Sequence, residues 1–199
     1  MAVLMSEYKE RFVAEYTQYI KRAGAAELLE WMDKRTDFFY APASTRFHGA
    51  HAEGLVMHSL NVYDLMRERN DRDQSEDPES IAIVSLLHDL CKANFYKEST
   101  RNVKNERTGQ WEKVPYYSIE DRFPYGHGEK SVYLIERFMR LKPAEAMAIR
   151  WHMGGFDDNA RVGGFNVANA FTMYPIAVKL HLCDLEATYL VEGGNETAK

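Results

Sequence analysis

Several large classes are excluded by what this chain has little of. It carries two cysteines, Cys91 and Cys183, too few for a disulfide framework. They read better as small buried residues on helices than as soft metal ligands. It has no basic excess: 25 Lys and Arg stand against 30 Asp and Glu, for a net charge of -5. That balance argues against a general nucleic-acid or anionic-membrane binder, although a local basic pocket remains open. No apolar run approaches the ~18 residues of a membrane span. The opening Met1 to Glu7 has no basic region leading into a long apolar stretch. A cytoplasmic, reducing location is the expectation. Internal repeats, low-complexity tracts and a second-domain boundary are also lacking.

What remains is an ordinary globular composition, 45% hydrophobic and 28% charged over 199 residues, enough for one well-buried core. Apolar steps of three and four predict a helix from Glu7 to about Arg22 and, after Gly24, another from Ala25 to about Arg35. Thr36 to Ala52 reads as loop. A helix from about Glu53 to Arg69 carries Leu55, His58, Val62, Leu65 and Met66 on one face. Asn70 to Asp77 is a charged loop, and Asp77-Pro78-Glu79 marks a helix start leading into His88-Asp89. Thr100 to Tyr117, with Gly109 at its turn, predicts a β-hairpin inserted beside the site. Helices follow from about Glu129 to Arg140, from Lys142-Pro143 to His152, and from Tyr174-Pro175 to Val191. Phe156 to Asn169 is expected to be loop, with Asp157 and Asp158 as solvated carboxylates. Residues 193–199 are expected to be a polar, flexible tail.

The stretch Leu86-Leu87-His88-Asp89-Leu90-Cys91-Lys92 organises the rest. Adjacent helical residues point about 100° apart and rarely share a target. At a helix's last turn an imidazole and a carboxylate can converge, and they make a good ligand pair for a divalent transition metal. The plainer alternative is a hydrogen-bonded core histidine beside a capping aspartate. Seven histidines shift the balance: His48, His51, His58, His88, His127, His152 and His181. Several sit inward on successive helices, and each buried group without a partner costs about 1–3 kcal/mol. A shared ion satisfies them together.

The order His58, His88-Asp89, Asp184 resembles the HD superfamily of metal-dependent phosphohydrolases. Gly54-Leu55-Val56-Met57-His58-Ser59-Leu60 is similar to that family's opening phrase. Leu86 to Lys92 is similar to its His-Asp signature, with Cys91 in place of the usual Gly. His181 to Ala187 is similar to its final helix. The resemblance covers about residues 47–192, and residues 1–46 are then helices packed on that domain. It implies an all-α, HD-type helical bundle with the small hairpin inserted. It also implies His58, His88, Asp89 and Asp184 as ligands of one ion, and His127 and His152 as ligands of a second, with Asp89 bridging. The metal is one or two divalent ions, among Mn, Fe, Zn, Ni and Mg.

The implied function is hydrolysis of a nucleotide or other small phosphoester through a metal-activated water. Asp89 and Lys92 are the catalytic candidates, and Lys92, His48 and His51 the substrate-binding ones. For His51 a surface loop position is the stronger reading. The same ligand order occurs in di-iron oxygenases such as inositol oxygenases, which stands as the alternative, followed by a non-catalytic nucleotide-binding module. Within the hydrolases the chain also resembles HD-type 3′–5′ exoribonucleases, but these carry a separate oligonucleotide-binding domain that an acidic chain of this length does not accommodate.

Overall fold

A computed structural model describes residues 6–46, 48–161 and 164–193. Helix α1, Glu7–Tyr19, starts where Ser6 accepts the backbone N–H of Lys9, and it buries Phe12 and Tyr16. It stops three residues short of the expected Arg22. Helix α2, Ala25–Arg35, begins from Gly24 at φ +87°. A Cβ at Gly24 would stand 1.8 Å from the Phe138 carbonyl oxygen, so both the left-handed backbone and the close approach require glycine.

Helix α3 spans Gly54–Asp73, extending into the segment expected as charged loop. Helix α4, Pro78–Leu87, is the centre of the molecule. Asp77 accepts the Glu79 N–H at its start, and every residue from Ser80 to Leu87 is buried. A helix apolar on all sides must be covered on all sides, and α4 packs against α1 and α3. The hairpin strands β1, Tyr96–Lys104, and β2, Trp111–Ile119, pair antiparallel from Tyr96↔Ile119 to Lys104↔Trp111. The hairpin is longer than the predicted stretch. It projects with most residues exposed and is tied down at its base, where Tyr96 Oη donates to the Ala43 carbonyl and Lys130 Nζ pairs with Asp121.

Helices α5, His127–Glu136, and α6, Pro143–Trp151, pack on each other, and α6 also contacts α4. The stretch 156–169, expected as loop, contains helix α7, Asp158–Arg161, and the start of helix α8, Asn166–Met173. The cause is Asp157, which is buried rather than solvated. Its Oδ2 accepts from Arg150 Nη1 at 2.9 Å and its Oδ1 from the Asn159 N–H at 2.9 Å, which starts α7. Asp158 is exposed, as expected. Helix α9, Pro175–Glu186, contacts α3 and α6 and continues as a π-helical turn, Ala187–Val191. Of the expected tail only Gly193 falls within the described residues. The fold is thus mostly helical with one two-stranded hairpin, and its core runs unbroken from Phe12 to Ala187. Among the described residues no helix is long and apolar enough to cross a membrane.

One buried polar cluster ties α4 and α6 to the loop between α1 and α2. Glu145, in the first turn of α6, accepts from Arg22 Nη1 and Nη2 at 2.7 and 2.9 Å, from Ser80 Oγ at 2.7 Å and from the Lys142 N–H at 2.7 Å. Removing one partner of such a buried pair strands the other. Glu145→Ala is expected to cost about 3 kcal/mol by urea unfolding, whereas Lys34→Ala, which breaks an exposed pair with Glu30, should leave the midpoint unchanged.

Candidate metal centre

Helix α4 ends at Leu87, and Asp89 turns out of the helical region with φ -100° and ψ 19° into a 3-10 turn, Leu90–Lys92. The break lets two adjacent side chains reach one place: His88 Nε2 lies 3.4 Å from Asp89 Oδ2. Asp89 is buried, and its two oxygens face different neighbours. Oδ2 lies 3.7 Å from His58 Nε2 and 2.7 Å from Lys92 Nζ. Oδ1 accepts from His127 Nε2 at 2.8 Å and lies 3.5 Å from His152 Nε2. Asp184, from α9, reaches the first group, with Oδ1 3.1 Å from His58 Nε2 and 4.0 Å from His88 Nε2.

The six residues to which the sequence resemblance assigned metal are therefore brought together from α3, α4, α5, α6 and α9. His88 and His152 are aimed in the same way. Each donates its Nδ1–H to the carbonyl three residues earlier, Ser85 at 2.8 Å and Ile149 at 2.6 Å, which leaves Nε2 facing the cluster. His152 Nε2 is buried without a hydrogen-bond partner, and a buried nitrogen left unpaired calls for a ligand. Donors about 2.0–2.2 Å from one ion stand roughly 3–3.6 Å from each other, close to the separations here. Groups of these residues have donor atoms placed to hold a metal ion: His58, His88 and Asp184, and again His88, Asp89 and His152.

Charge is balanced inside the cluster. Burial alone would raise the Asp89 carboxyl, but Lys92 and the surrounding imidazoles hold it well below its ordinary range. Asp184 is also lowered against the pull of burial, chiefly by His58. Burial pushes His58 down, yet Asp184 and Glu192 more than offset this and raise it to about 9. Lys92 is raised despite burial because Asp89 stabilises its charge.

The remaining candidates divide. His48 packs its ring 4.9 Å from that of His58, and its Nδ1 is buried without a partner. His51 is exposed and donates to the Ala52 carbonyl; the structure does not bring it to the cluster. His181 Nδ1 donates to the His152 carbonyl at 2.5 Å, bracing the end of α6. Cys91 Sγ lies 3.4 and 3.7 Å from the two nitrogens of His127. Cys91 is buried, as expected of a small core residue, and its sulfur also stands with Asp89 and His127 in a donor group close enough to hold an ion. Two residues carry site contacts that sequence reasoning missed. Glu192 Oε1 accepts from His58 Nδ1 at 3.0 Å and from Asn61 Nδ2 at 2.8 Å. The i, i+3 spacing of His58 and Asn61 was a signal for Asn61; Glu192 had none.

The two histidines beside Asp89 Oδ1 depend on a close helix approach. A Cβ on Gly128 would stand 2.2 Å from the Arg150 carbonyl oxygen, so Gly128 lets α5 and α6 meet with the His127 and His152 rings 5.1 Å apart. Gly128→Ala is expected to cost about 1–3 kcal/mol of stability, read from the denaturant midpoint.

Comparison with curated proteins and with solved structures returns no match. A protein-family model described as HD domain does match, over residues 55–174. Its span takes in His58, the His88-Asp89 pair, His127 and His152, and ends before Asp184 and Glu192. A family typically of metal-dependent phosphohydrolases, with phosphorylated substrates, agrees with a buried histidine and aspartate cluster able to hold metal. Because the match covers more than half of the sequence, this protein belongs to the HD domain family.

Proposed function

We propose that this protein is a metal-dependent phosphohydrolase acting on a nucleotide or another small phosphoester. The observation that carries the reading is the division of Asp89. Its Oδ2 sits with His58, His88 and Asp184, and its Oδ1 with His127 and His152. One carboxylate with an oxygen in each of two donor groups is the arrangement of a bridging ligand. In this reading His58, His88, Asp89 and Asp184 hold one divalent ion, and Asp89, His127 and His152 hold a second. Bound there, divalent ions lower the pKa of a coordinated water and offset charge on phosphoryl oxygens.

The chain's own groups do the rest. Asp89 keeps the two donor groups in register. Lys92 has three donors and, among the described residues, gives one to the Asp89 carboxylate, so it is placed to hold a phosphoryl oxygen as charge builds on it. His48, pushed down to about 4 by burial and by neighbouring charge, is neutral near pH 7 and offers its unpaired Nδ1 to a substrate oxygen. A cleft of about 760 Å³ at the base of the hairpin, lined by Trp31, Ala93, Tyr96, Phe123, Tyr133 and Leu134 among others, is separate from the cluster, none of whose residues lines it.

The test is an anaerobic assay of metal-reconstituted protein against a panel of phosphomonoesters and phosphodiesters. Hydrolysis supported by Mn²⁺ or Zn²⁺ without dioxygen is expected. Asp89→Ala should abolish activity and bound metal while the helical circular dichroism persists. Lys92→Ala should lower kcat about 10²-fold with metal content unchanged. Turnover that requires both iron and dioxygen, with no phosphoester cleaved, would establish the oxygenase chemistry instead.

A further inference from the structure

We infer that Glu192 is a positioning residue that fixes the tautomer and aim of His58 for metal binding. The inference rests on the reading that His58 binds an ion through Nε2. His88 and His152 have their Nδ1 protons held by backbone carbonyls of their own helices. His58 differs: its Nδ1 partner is the carboxylate of Glu192, 134 residues away in sequence, at 3.0 Å. That carboxylate is almost wholly buried, with a side-chain exposure of 3%. Its Oε1 also accepts from Asn61 Nδ2, so it faces His58 as an acceptor and His58 Nδ1–H donates to it. With Nδ1–H held in this way, it is Nε2, on the side of His88, Asp89 and Asp184, that gives up its proton and offers a lone pair when an ion binds.

A carboxylate behind a ligating imidazole does more than a carbonyl does. It sets the ring's orientation and raises the basicity of the opposite nitrogen. Asn61, one turn beyond His58 on α3, donates to the same Oε1 at 2.8 Å, so Glu192 is itself held in place. The chain reaches this position through the π-helical turn Ala187–Val191, which closes with the Glu192 N–H donating to the Ala187 carbonyl. In a regular α-helix a residue eight positions after Asp184 lies about 80° round from it. The wider i→i+5 turn takes up that difference. Asp184 and Glu192 thereby meet opposite nitrogens of one imidazole, at 3.1 and 3.0 Å. Burying a carboxylate is costly unless it is paired, and Glu192 spends its burial on His58.

The experiment is zinc titration of the full chain, with ¹⁵N correlation spectra of the histidine rings in the zinc-loaded protein. Wild type should show His58 protonated at Nδ1 with a hydrogen-bonded, downfield proton. Glu192→Ala should weaken zinc binding about 10–100-fold and lose that resonance. Glu192→Gln retains an acceptor oxygen without the charge. It should keep the Nδ1 tautomer, shift the proton upfield and weaken zinc by an intermediate factor. If the alanine variant does not fold, as judged by circular dichroism, the glutamine variant decides. Zinc affinity and His58 resonances unchanged from wild type in whichever variant folds overturn the inference. His58→Ala separates the two levels. If it binds zinc like wild type, the assignment of His58 to metal fails and this inference with it. If it loses zinc while the folded Glu192 variants keep it, only the role of Glu192 fails.

Discussion

The buried carboxylate of Asp89 is the constraint from which the rest of the site follows. An ion of this size loses several kcal/mol of hydration on burial, so the fold must surround it with compensating groups. Lys92 supplies a cation from the same turn, and four imidazoles supply polar nitrogens from α3, α4, α5 and α6. No single element offers more than a fraction of this, and the helices have to be packed correctly before the charge is tolerable. The site and the core are therefore one structural problem. Helix α4, buried along its length, delivers Asp89 to the middle of the bundle, and the bundle exists in part to cover α4.

Orientation at the centre is achieved by a repeated device. A histidine whose Nδ1–H is occupied by a carbonyl three residues earlier has only one nitrogen left to offer. His88 and His152 use it at the ends of their helices, where the last carbonyls are free to accept. His58 sits inside α3, where those carbonyls are already taken, and its Nδ1 turns to the carboxylate of Glu192. The same logic explains His181, which spends its Nδ1 proton on the His152 carbonyl and so braces the neighbouring turn.

Much of this was legible in the residues. Helix periodicity predicted most of the helical bundle, because one apolar face per helix is enough to bury it. The Asp77-Pro78 start of α4 and the hairpin around Gly109 follow from local chemistry that operates within a few residues. The misreadings have the same origin. Phe156 to Asn169 looked like loop because its Gly and Asn content is high, but a buried Asp157 paired with Arg150 starts a short helix there. That pairing depends on α6 and is invisible locally.

The sequence by itself determined the helical class, the buried character of α4 and the set of imidazoles and carboxylates from which a metal centre could be made. Each of these depends on residue type and on spacing within one element. Only the tertiary structure decided that Asp89 divides its two oxygens between separate donor groups, that His51 stays at the surface while His48 packs on His58, and that Glu192 stands behind His58. Those facts are distances between groups up to 134 residues apart, set by helix packing and by a π-helical turn. No local pattern encodes them, because the free energy that fixes them is gained only when the whole bundle closes.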